Sequence, residues 1–113
     1  MYESKYRDDM RGEIWNVDLS GAVGSEQAGT RPCIIISNNK GNLHAPTVVV
    51  LAITTGDRHF GVTHLDVDLK LPSKILCEQI FTRDKLRLKR RLYKLDNETM
   101  RKLDEKLMLT LGL

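Results

Sequence analysis

A loop of small and polar residues leads into an arginine that could hold an anion. Residues 24–32 spell GSEQAGTRP, in which the polar residues Ser25, Glu26 and Gln27 precede Arg31. A guanidinium stays charged at physiological pH, and its planar fork of N–H donors matches the oxygens of a phosphate. Further along, Thr54 ends an apolar run and offers a hydroxyl that can donate to the same kind of anion. These residue types are suited to stabilising a crowded, negatively charged phosphorus.

The residues alone leave the roles of Arg31 and Thr54 open. An arginine at the end of a loop can equally well bond local carbonyl groups or the carboxylate of Glu26. A threonine at the end of a strand is ordinary, since β-branched residues favour strands. Ser25 and Gln27 individually fit a solvated hairpin loop. An interpretation in terms of phosphate chemistry therefore needs a further observation.

The positive charge of the chain is concentrated in one segment. The net charge is +3, yet residues 83–94 hold seven basic residues against the single acid Asp84, a segment charge of +6 that leaves −3 elsewhere. The basic residues are Arg83, Lys85, Arg87, Lys89, Arg90, Arg91 and Lys94. Such a block is typical of a phosphate-binding surface, because neutralised phosphates release their condensed counterions. A solvated strand and turn that keeps the protein soluble explains the charge equally well.

The cysteines and histidines do not have the spacing of metal ligands. Cys33 and Cys77 lie far apart in apolar runs, which favours buried, reduced thiols. His44, His59 and His64 form no H-x-x-x-H pattern, so we expect no metal and no other cofactor. All three histidines fit exposed loops, although His59 lies where it could approach a nucleic acid.

Most of the chain has the patterns of short strands. Strands are predicted at residues 14–19, 33–37, 47–54, 63–69 and 74–82, with a last one within 86–93. In the first strand, Trp15, Val17 and Leu19 share one face. Two loops, residues 20–30 and 55–61, and a turn-rich connection, residues 38–46, separate these strands. In the strand at 74–82, the adjacent polar residues Glu78 and Gln79 suit contact with a ligand or stabilisation of the sheet.

The C-terminal residues predict a helix that packs on the sheet. Asp96 is a suitable N-cap, and Leu95 and Met100 have the spacing of a hydrophobic staple across it. Glu98 favours the positive end of the helix dipole. An apolar stripe follows at spacings of three and four residues, consisting of Met100, Leu103, Leu107 and Leu111. Six short strands and a terminal helix predict a mainly β fold, either a small barrel or a strongly bent sheet.

Length and composition predict one domain. The 113 residues can form a single core, which we assign to residues 11–113 after a polar N-terminal tail at residues 1–10. No stretch approaches the roughly 20 apolar residues of a membrane helix, and the tail has no apolar signal region. We therefore expect a cytoplasmic protein without a membrane partner.

Several motifs resemble those of one family. The segments RGEIW at 11–15, GSEQAGTRP at 24–32 and PTVVVLAIT at 46–54 are similar to the MazF/PemK ribonuclease toxins. The segments KILCEQI at 74–80 and LDNETMRKLDEKL at 95–107 are also similar. The resemblance thus covers nearly everything after Met10, and the GSEQAGTRP motif is quite specific.

The resemblance carries expectations about fold, site and partners. It implies a small SH3-like barrel of the PemK/CcdB type, a homodimer with grooves across its interface, and a cognate antitoxin that blocks those grooves. It also implies that Arg31 and Thr54 are the catalytic pair and that Ser25, Glu26 and Gln27 help to frame the groove. Gln79 could then bond a base edge, since single-stranded RNA exposes its Watson–Crick edges.

The hypothesis that follows is a sequence-selective endoribonuclease acting on single-stranded RNA such as mRNA. Attack of the ribose 2′-hydroxyl on the neighbouring phosphate leaves a 2′,3′-cyclic phosphate and a 5′-hydroxyl, and it requires no metal to activate water. Arg31 cannot easily act as the base, so the proton acceptor is open, with Glu26 as one candidate. Two alternatives remain: a non-catalytic toxin of the same fold that inhibits gyrase, and an RNA-binding regulator.

Overall fold

The computed structural model describes residues 10–21, 23–24, 26–56 and 61–113. The strands are β1 (Glu13–Asp18), β2 (Thr30–Ile35), β3 (Thr47–Thr55), β4 (His64–Asp68), β5 (Pro72–Asp84) and β6 (Leu88–Lys94), and the helices are α1 (Asn39–His44) and α2 (Asn97–Leu111). Short 3-10 turns occupy Gly61–Thr63 and Lys85–Arg87. Most of the predicted N-terminal tail, residues 1–9, lies outside the described residues, whereas Met10 is fully buried in the core.

The six strands form one antiparallel sheet in the order β4-β5-β3-β2-β1-β6. The prediction of a mainly β fold with a C-terminal helix is therefore confirmed. The sheet is not a closed barrel, because within the described part of the chain β4 and β6 do not pair with each other. A cavity of about 770 Å³ separates them, with β4 on one side and the end of β6 and the start of α2 on the other.

Each face of the sheet buries its own cluster of apolar side chains. We call the cluster on the side of Trp15 the Trp15 cluster; it consists of Met10, Trp15, Val17, Leu19, Cys33, Ile35, Val48, Val50, Ala52, Leu76, Phe81 and Leu88. The helix-facing cluster consists of Ile14, Ile34, Leu51, Ile53, Val67, Ile75, Cys77, Met100 and Leu103. The predicted alternation in β1 is thus confirmed. The two cysteines lie in different clusters, on opposite faces of the sheet.

Helix α2 begins where the sequence predicts. The Asp96 side chain accepts a hydrogen bond from the Thr99 N–H at 2.7 Å, and this bond to the backbone holds the Asp96 pKa below its usual value. Met100 and Leu103 are buried in the helix-facing cluster. The predicted stripe is wrong at its end, because Leu111 is 54% exposed. The helix ends at Gly112, whose φ of +72° is a left-handed cap.

Helix α1 was not predicted; the sequence analysis expected only a turn-rich connection there. Asn38 caps it by accepting a hydrogen bond from the Gly41 N–H at 2.7 Å. Asn42 is completely buried and donates from Nδ2 to the Ser37 carbonyl at 2.8 Å. A helix of six residues is too short to show an apolar period, so its stability depends on these polar contacts.

Arg11 and Gly12 of the RGEIW motif hold the start of β1 against neighbouring elements. Arg11 donates from Nε to the Ile36 carbonyl at 3.0 Å and from Nη2 to Asp104 of α2 at 2.6 Å. Gly12 has a φ of +91°, and a Cβ placed there would lie 3.3 Å from Met100 Sδ. This part of the motif is explained by the fold, since it joins β1 to both β2 and α2.

Candidate active site

Arg31 lies near the start of β2, directly after the polar loop. It is half-buried, and its Nε donates to the Ala28 carbonyl at 3.1 Å. Its terminal nitrogens make no hydrogen bond or ion pair with any residue that the structure describes. Glu26 is not its partner, because the Glu26 carboxylate accepts from the Val23 N–H at 2.6 Å within the loop. The guanidinium is thus held at one nitrogen and keeps two others for a ligand.

Thr54 lies across from Arg31 on the neighbouring strand. Cys33 of β2 pairs with Ala52 of β3 in an antiparallel register, so two further residues along each strand place Arg31 opposite Thr54. Alternation puts both side chains on the face that carries Cys33 and Ala52. Among the residues that the structure describes, the Thr54 hydroxyl donates only to the Thr55 carbonyl, at a long 3.4 Å, so it can donate to a ligand instead.

Both residues line one cavity of about 230 Å³, whose apolar lining includes Ile53 of the helix-facing cluster. The lining residues are Arg31, Pro32, Ile53, Thr54, Thr55, Leu69, Lys70, Leu71, Ser73, Leu92 and Tyr93. Leu69, Lys70 and Tyr93 also line the 770 Å³ cavity between β4 and β6, so the two spaces adjoin. The structure therefore brings the two predicted catalytic residues together in a groove that continues beyond them.

Gln27 and Gln79 are joined, although they are 52 positions apart. The Gln27 N–H donates to Gln79 Oε1 at 3.3 Å, which ties the polar loop to β5. Gln79 is half-buried and does not line the 230 Å³ cavity. Its Oε1 thus anchors the loop, while its amide nitrogen forms no hydrogen bond with a described residue and can serve a ligand.

Glu78 lies outside the cavity and pairs with β4. His64 Nε2 lies 2.9 Å from Glu78 Oε1, and the Thr63 hydroxyl donates to the same oxygen at 3.4 Å. The expectation that His64 is an exposed loop residue is wrong: it begins β4, and its side chain is only 6% exposed. Glu78 therefore holds the start of β4 against β5. Ser25 and His59, two further predicted site residues, lie outside the described residues.

Besides Thr55 at the end of β3, three polar residues of the cavity were missed by sequence reasoning. Lys70 comes from the turn between β4 and β5, Ser73 from β5, and Tyr93 from β6. Tyr93 is 37% exposed and lies within the basic segment. An aromatic residue among charged neighbours was the sequence feature that could have identified it as a site residue. Lys70 and Ser73 gave none, since their position depends on how the ends of the sheet approach each other.

Several side chains of the basic segment contact β1 or the residues next to it. Arg87 Nη1 lies 3.2 Å from Asp18 and donates to the Ser20 hydroxyl at 2.6 Å. Hydrogen bonds from Ser20, first from its backbone, hold the Asp18 pKa below its usual value, and Arg87 acts in the same direction. Arg91 Nε lies 3.3 Å from the buried Glu13.

Lys94 of the same segment donates to the Arg11 carbonyl at 3.0 Å. Lys89 and Arg90 are exposed on β6 and form no ion pair with a described residue. Arg87, Arg91 and Lys94 thus contact β1 or the residues next to it, while Arg83 and Lys89 bond the carbonyl groups of Thr82 and Leu86. A phosphate-binding role for the segment stays a prediction.

The thiols are poor candidates for chemistry. Burial raises the pKa of Cys33 to about 12 and that of Cys77 to about 11, so both thiols are protonated at neutral pH. Among the residues described, no three His, Cys, Asp or Glu side chains converge as a metal site would require. Within the same residues, no helix has the length and apolar character needed to cross a membrane.

Comparison with known proteins gives a consistent result. The family model described as PemK-like, MazF-like toxin of type II toxin-antitoxin system matches residues 10–111. Endoribonuclease EndoA of Bacillus subtilis (strain 168) is 44% identical over 109 residues, covering 91% of this chain and 94% of that protein. The family match spans the polar loop, the cavity and α2.

Solved structures share the fold. An endoribonuclease in complex with its cognate antitoxin, from a mycobacterial species, superposes with a TM-score of 0.78 at 29% identity, covering 92% of this chain and 95% of that one. MazF of Deinococcus radiodurans gives a TM-score of 0.80 at 19% identity, covering 97% and 100%, and supports the fold alone. With a family match over nearly its whole length, the chain belongs to the PemK/MazF family of type II toxin–antitoxin toxins.

Proposed function

We propose that this chain is an endoribonuclease toxin that cuts single-stranded RNA at the groove containing Arg31 and Thr54. The observation that carries the proposal is the shared cavity, in which a guanidinium with two unused nitrogens lies across from a hydroxyl. Family membership and 44% identity to an endoribonuclease support the same activity. A cytoplasmic location, where mRNA is found, fits this proposal.

The chemistry follows from what these two residues can donate. When the ribose 2′-oxygen attacks the adjacent phosphorus, negative charge accumulates on the non-bridging oxygens. Arg31 donates to those oxygens and neutralises them, because its charge does not depend on pH. Thr54 adds a hydroxyl hydrogen bond to the same group. The 2′-hydroxyl gives up its proton, the P–O5′ bond breaks, and the departing 5′-oxygen takes up a proton, which leaves a 2′,3′-cyclic phosphate and a 5′-hydroxyl.

No described residue of the smaller cavity offers a proton acceptor. Among the residues that the structure describes, those lining the 230 Å³ space include no acid and no histidine. Glu26 is exposed in the polar loop and bonded to the Val23 N–H, so it can act as the base only if that loop carries it to Arg31. We keep Glu26 as the candidate base on this condition.

The groove also suggests how partners bind. The 230 Å³ and 770 Å³ cavities adjoin, which gives an extended strand of RNA more than one nucleotide of contact. We propose that the loops at residues 20–30 and 55–61 select the sequence, that two copies of the chain form a homodimer, and that a cognate antitoxin occludes the groove. An antitoxin complex of a structural neighbour supports the last point.

Cleavage of a long RNA by the purified protein tests this function. We expect fragments in the presence of EDTA, with 5′-hydroxyl ends that primer extension maps to one short sequence. Arg31→Ala should abolish cleavage, whereas Arg101→Ala, at an exposed position on α2 that pairs with Glu105, should not. Loss of activity with chelator, 5′-phosphate ends, or an active Arg31→Ala protein would contradict the mechanism. Intact RNA together with inhibited gyrase would favour the non-catalytic toxin, and salt-sensitive binding without cleavage would favour an RNA-binding regulator.

A further inference from the structure

Arg83 is a second guanidinium on the face of the sheet that carries Arg31. It follows Phe81 by two residues in the regularly paired end of β5, and its guanidinium lies 4.9 Å from the centre of the Phe81 ring. Phe81 and Cys33 belong to the Trp15 cluster, and Arg31 precedes Cys33 by two residues on β2. One apolar cluster is thus flanked by two arginines.

The two arginines lie at different points along the same face of the sheet. Arg31 lies opposite Thr54 and Arg83 pairs with Val48, so their positions are six residues, or roughly 20 Å, apart along β3. Neither arginine forms an ion pair with a carboxylate among the residues that the structure describes. Positive charges spaced along one face suit an extended chain of phosphates, because each charge can neutralise a different phosphate.

The hydrogen bonds of Arg83 leave one edge of its guanidinium unused. Nη1 donates to the Thr82 carbonyl at 2.9 Å, while Nε is closed off from solvent and has no hydrogen-bond partner in the described structure. The Nε–Nη2 edge is one that can hold a phosphate with two parallel hydrogen bonds. Stacking on Phe81 engages only the flat face of the group, so the guanidinium can turn on the ring to present this edge.

We propose that Arg83 binds a second phosphate of the RNA strand whose scissile phosphate is held by Arg31. This rests on the proposed ribonuclease function, and it assigns a specific role to one residue of the basic segment that lies outside the GSEQAGTRP motif and the cavity around Thr54. Because Arg83 contacts a phosphate that does not react, it stabilises the bound substrate and the transition state equally. It therefore acts on the affinity for RNA rather than on the chemical step.

Binding to RNA that cannot be cut provides the test. The ligand is an oligonucleotide spanning the mapped cleavage site, with a 2′-O-methyl group on the attacked ribose. Arg83→Gln should weaken binding about tenfold and reduce the slope of log Kd against log salt by about 0.7, the value for one phosphate of a single strand. KM should rise by a similar factor with kcat nearly unchanged. Arg101→Gln is the matched control and should match the wild type.

Replacing single phosphates by neutral methylphosphonates identifies the contact. One position should weaken binding to the wild type but not to Arg83→Gln, since the same interaction cannot be lost twice. Arg83→Lys should recover the salt slope but only part of the affinity. Should Arg83→Gln unfold, as judged by Trp15 fluorescence, Arg83→Met preserves the packing over Phe81 and takes its place.

The results distinguish a failure of the Arg83 proposal from a failure of the proposed ribonuclease function. A wild-type protein that cuts no RNA overturns the proposed function. A wild-type protein that cuts RNA while Arg83→Gln matches Arg101→Gln in Kd and salt slope overturns only the role of Arg83. Weaker binding with an unchanged slope, and with no methylphosphonate position coupled to Arg83, also overturns it, because the residue would then act through packing.

Discussion

Removing the Thr54 hydroxyl should stop catalysis and leave the fold intact. Thr54→Val keeps the shape and the β-branched character of the side chain while deleting Oγ1. The bond lost in the unbound protein is the long one to the Thr55 carbonyl, 3.4 Å, so the free energy of unfolding should fall by less than about 1 kcal/mol. Because the Thr54 side chain is half-buried at the rim of the 230 Å³ cavity, the substitution opens no void in the hydrophobic core.

The expected kinetic effect is much larger than the effect on stability. One donor aimed at the charge that develops in a transition state contributes about 3 to 4 kcal/mol, which corresponds to a reduction of kcat by roughly 100- to 1,000-fold. Thr54→Ser retains the hydroxyl and should stay within about tenfold of the wild type. The assay is single-turnover cleavage of an end-labelled RNA, combined with thermal unfolding and the Kd of the 2′-O-methyl ligand.

Two results would refute this reasoning. If Thr54→Val cuts RNA at nearly the wild-type rate, the hydroxyl does not contact the reacting phosphate. If activity falls only in proportion to a loss of folded protein, Thr54 is a structural residue of β3. A loss in kcat with unchanged Kd and unfolding temperature is the only pattern that supports the catalytic role.

Three further predictions concern the fold. Cys33 and Cys77 should resist a thiol reagent at pH 8 until the protein is denatured. Burial raises the pKa of Cys33 to about 12 and that of Cys77 to about 11. Because the thiols of the unfolded chain lose their protons at lower pH, the free energy of unfolding should fall as pH rises above about 9. Gly12→Ala should lower the unfolding temperature more than Gly21→Ala, because both glycines have a φ near +90° to +100° but only the first faces a thioether within 3.3 Å. Asp96→Ala should lower the unfolding temperature at pH 7, and the difference should vanish in acid, because a carboxylate with a lowered pKa stabilises the fold at neutral pH and loses this effect as pH falls through that pKa.

Each of these has a clear contrary result. Rapid labelling of the native protein by a thiol reagent would show that the clusters around the cysteines open easily. Equal effects of the two glycine substitutions would mean that backbone strain alone, and not the approach of α2, requires Gly12. A difference between Asp96→Ala and the wild type that persists in strong acid would show that the cap does not depend on the charge of Asp96.

Local patterns determined most of the secondary structure. The alternation in β1 could be predicted because the residues on one face of a strand recur every two positions. The capping residue of α2 could be predicted because a helix cap depends only on the first turn of its own helix. Trp15 and Asp96 take the predicted positions for this reason. The same logic fails for α1, which is too short to show a period and depends on the buried Asn42.

The composition of the candidate site depended on strand register. The motif around Arg31 pointed to the right loop, but its proximity to Thr54 follows from the pairing of β2 with β3. In β5 the register is irregular: Leu51 pairs with Ile80 and Ile53 with Ile75, so β5 advances five residues where β3 advances two. Alternation is lost across such a bulge, and the sequence could not show that Glu78 faces β4.

Contacts between distant segments decided the rest. The amino-acid sequence by itself determined the family motifs, the mainly β class and the arginine most suited to phosphate. Only the tertiary structure determined that Lys70 and Tyr93 line the same cavity, that His64 is shielded from solvent, and that the sheet remains open between β4 and β6. The physical reason is that side-chain types and short periods are local properties, whereas a cavity is formed by residues whose only relation is the folded path of the chain.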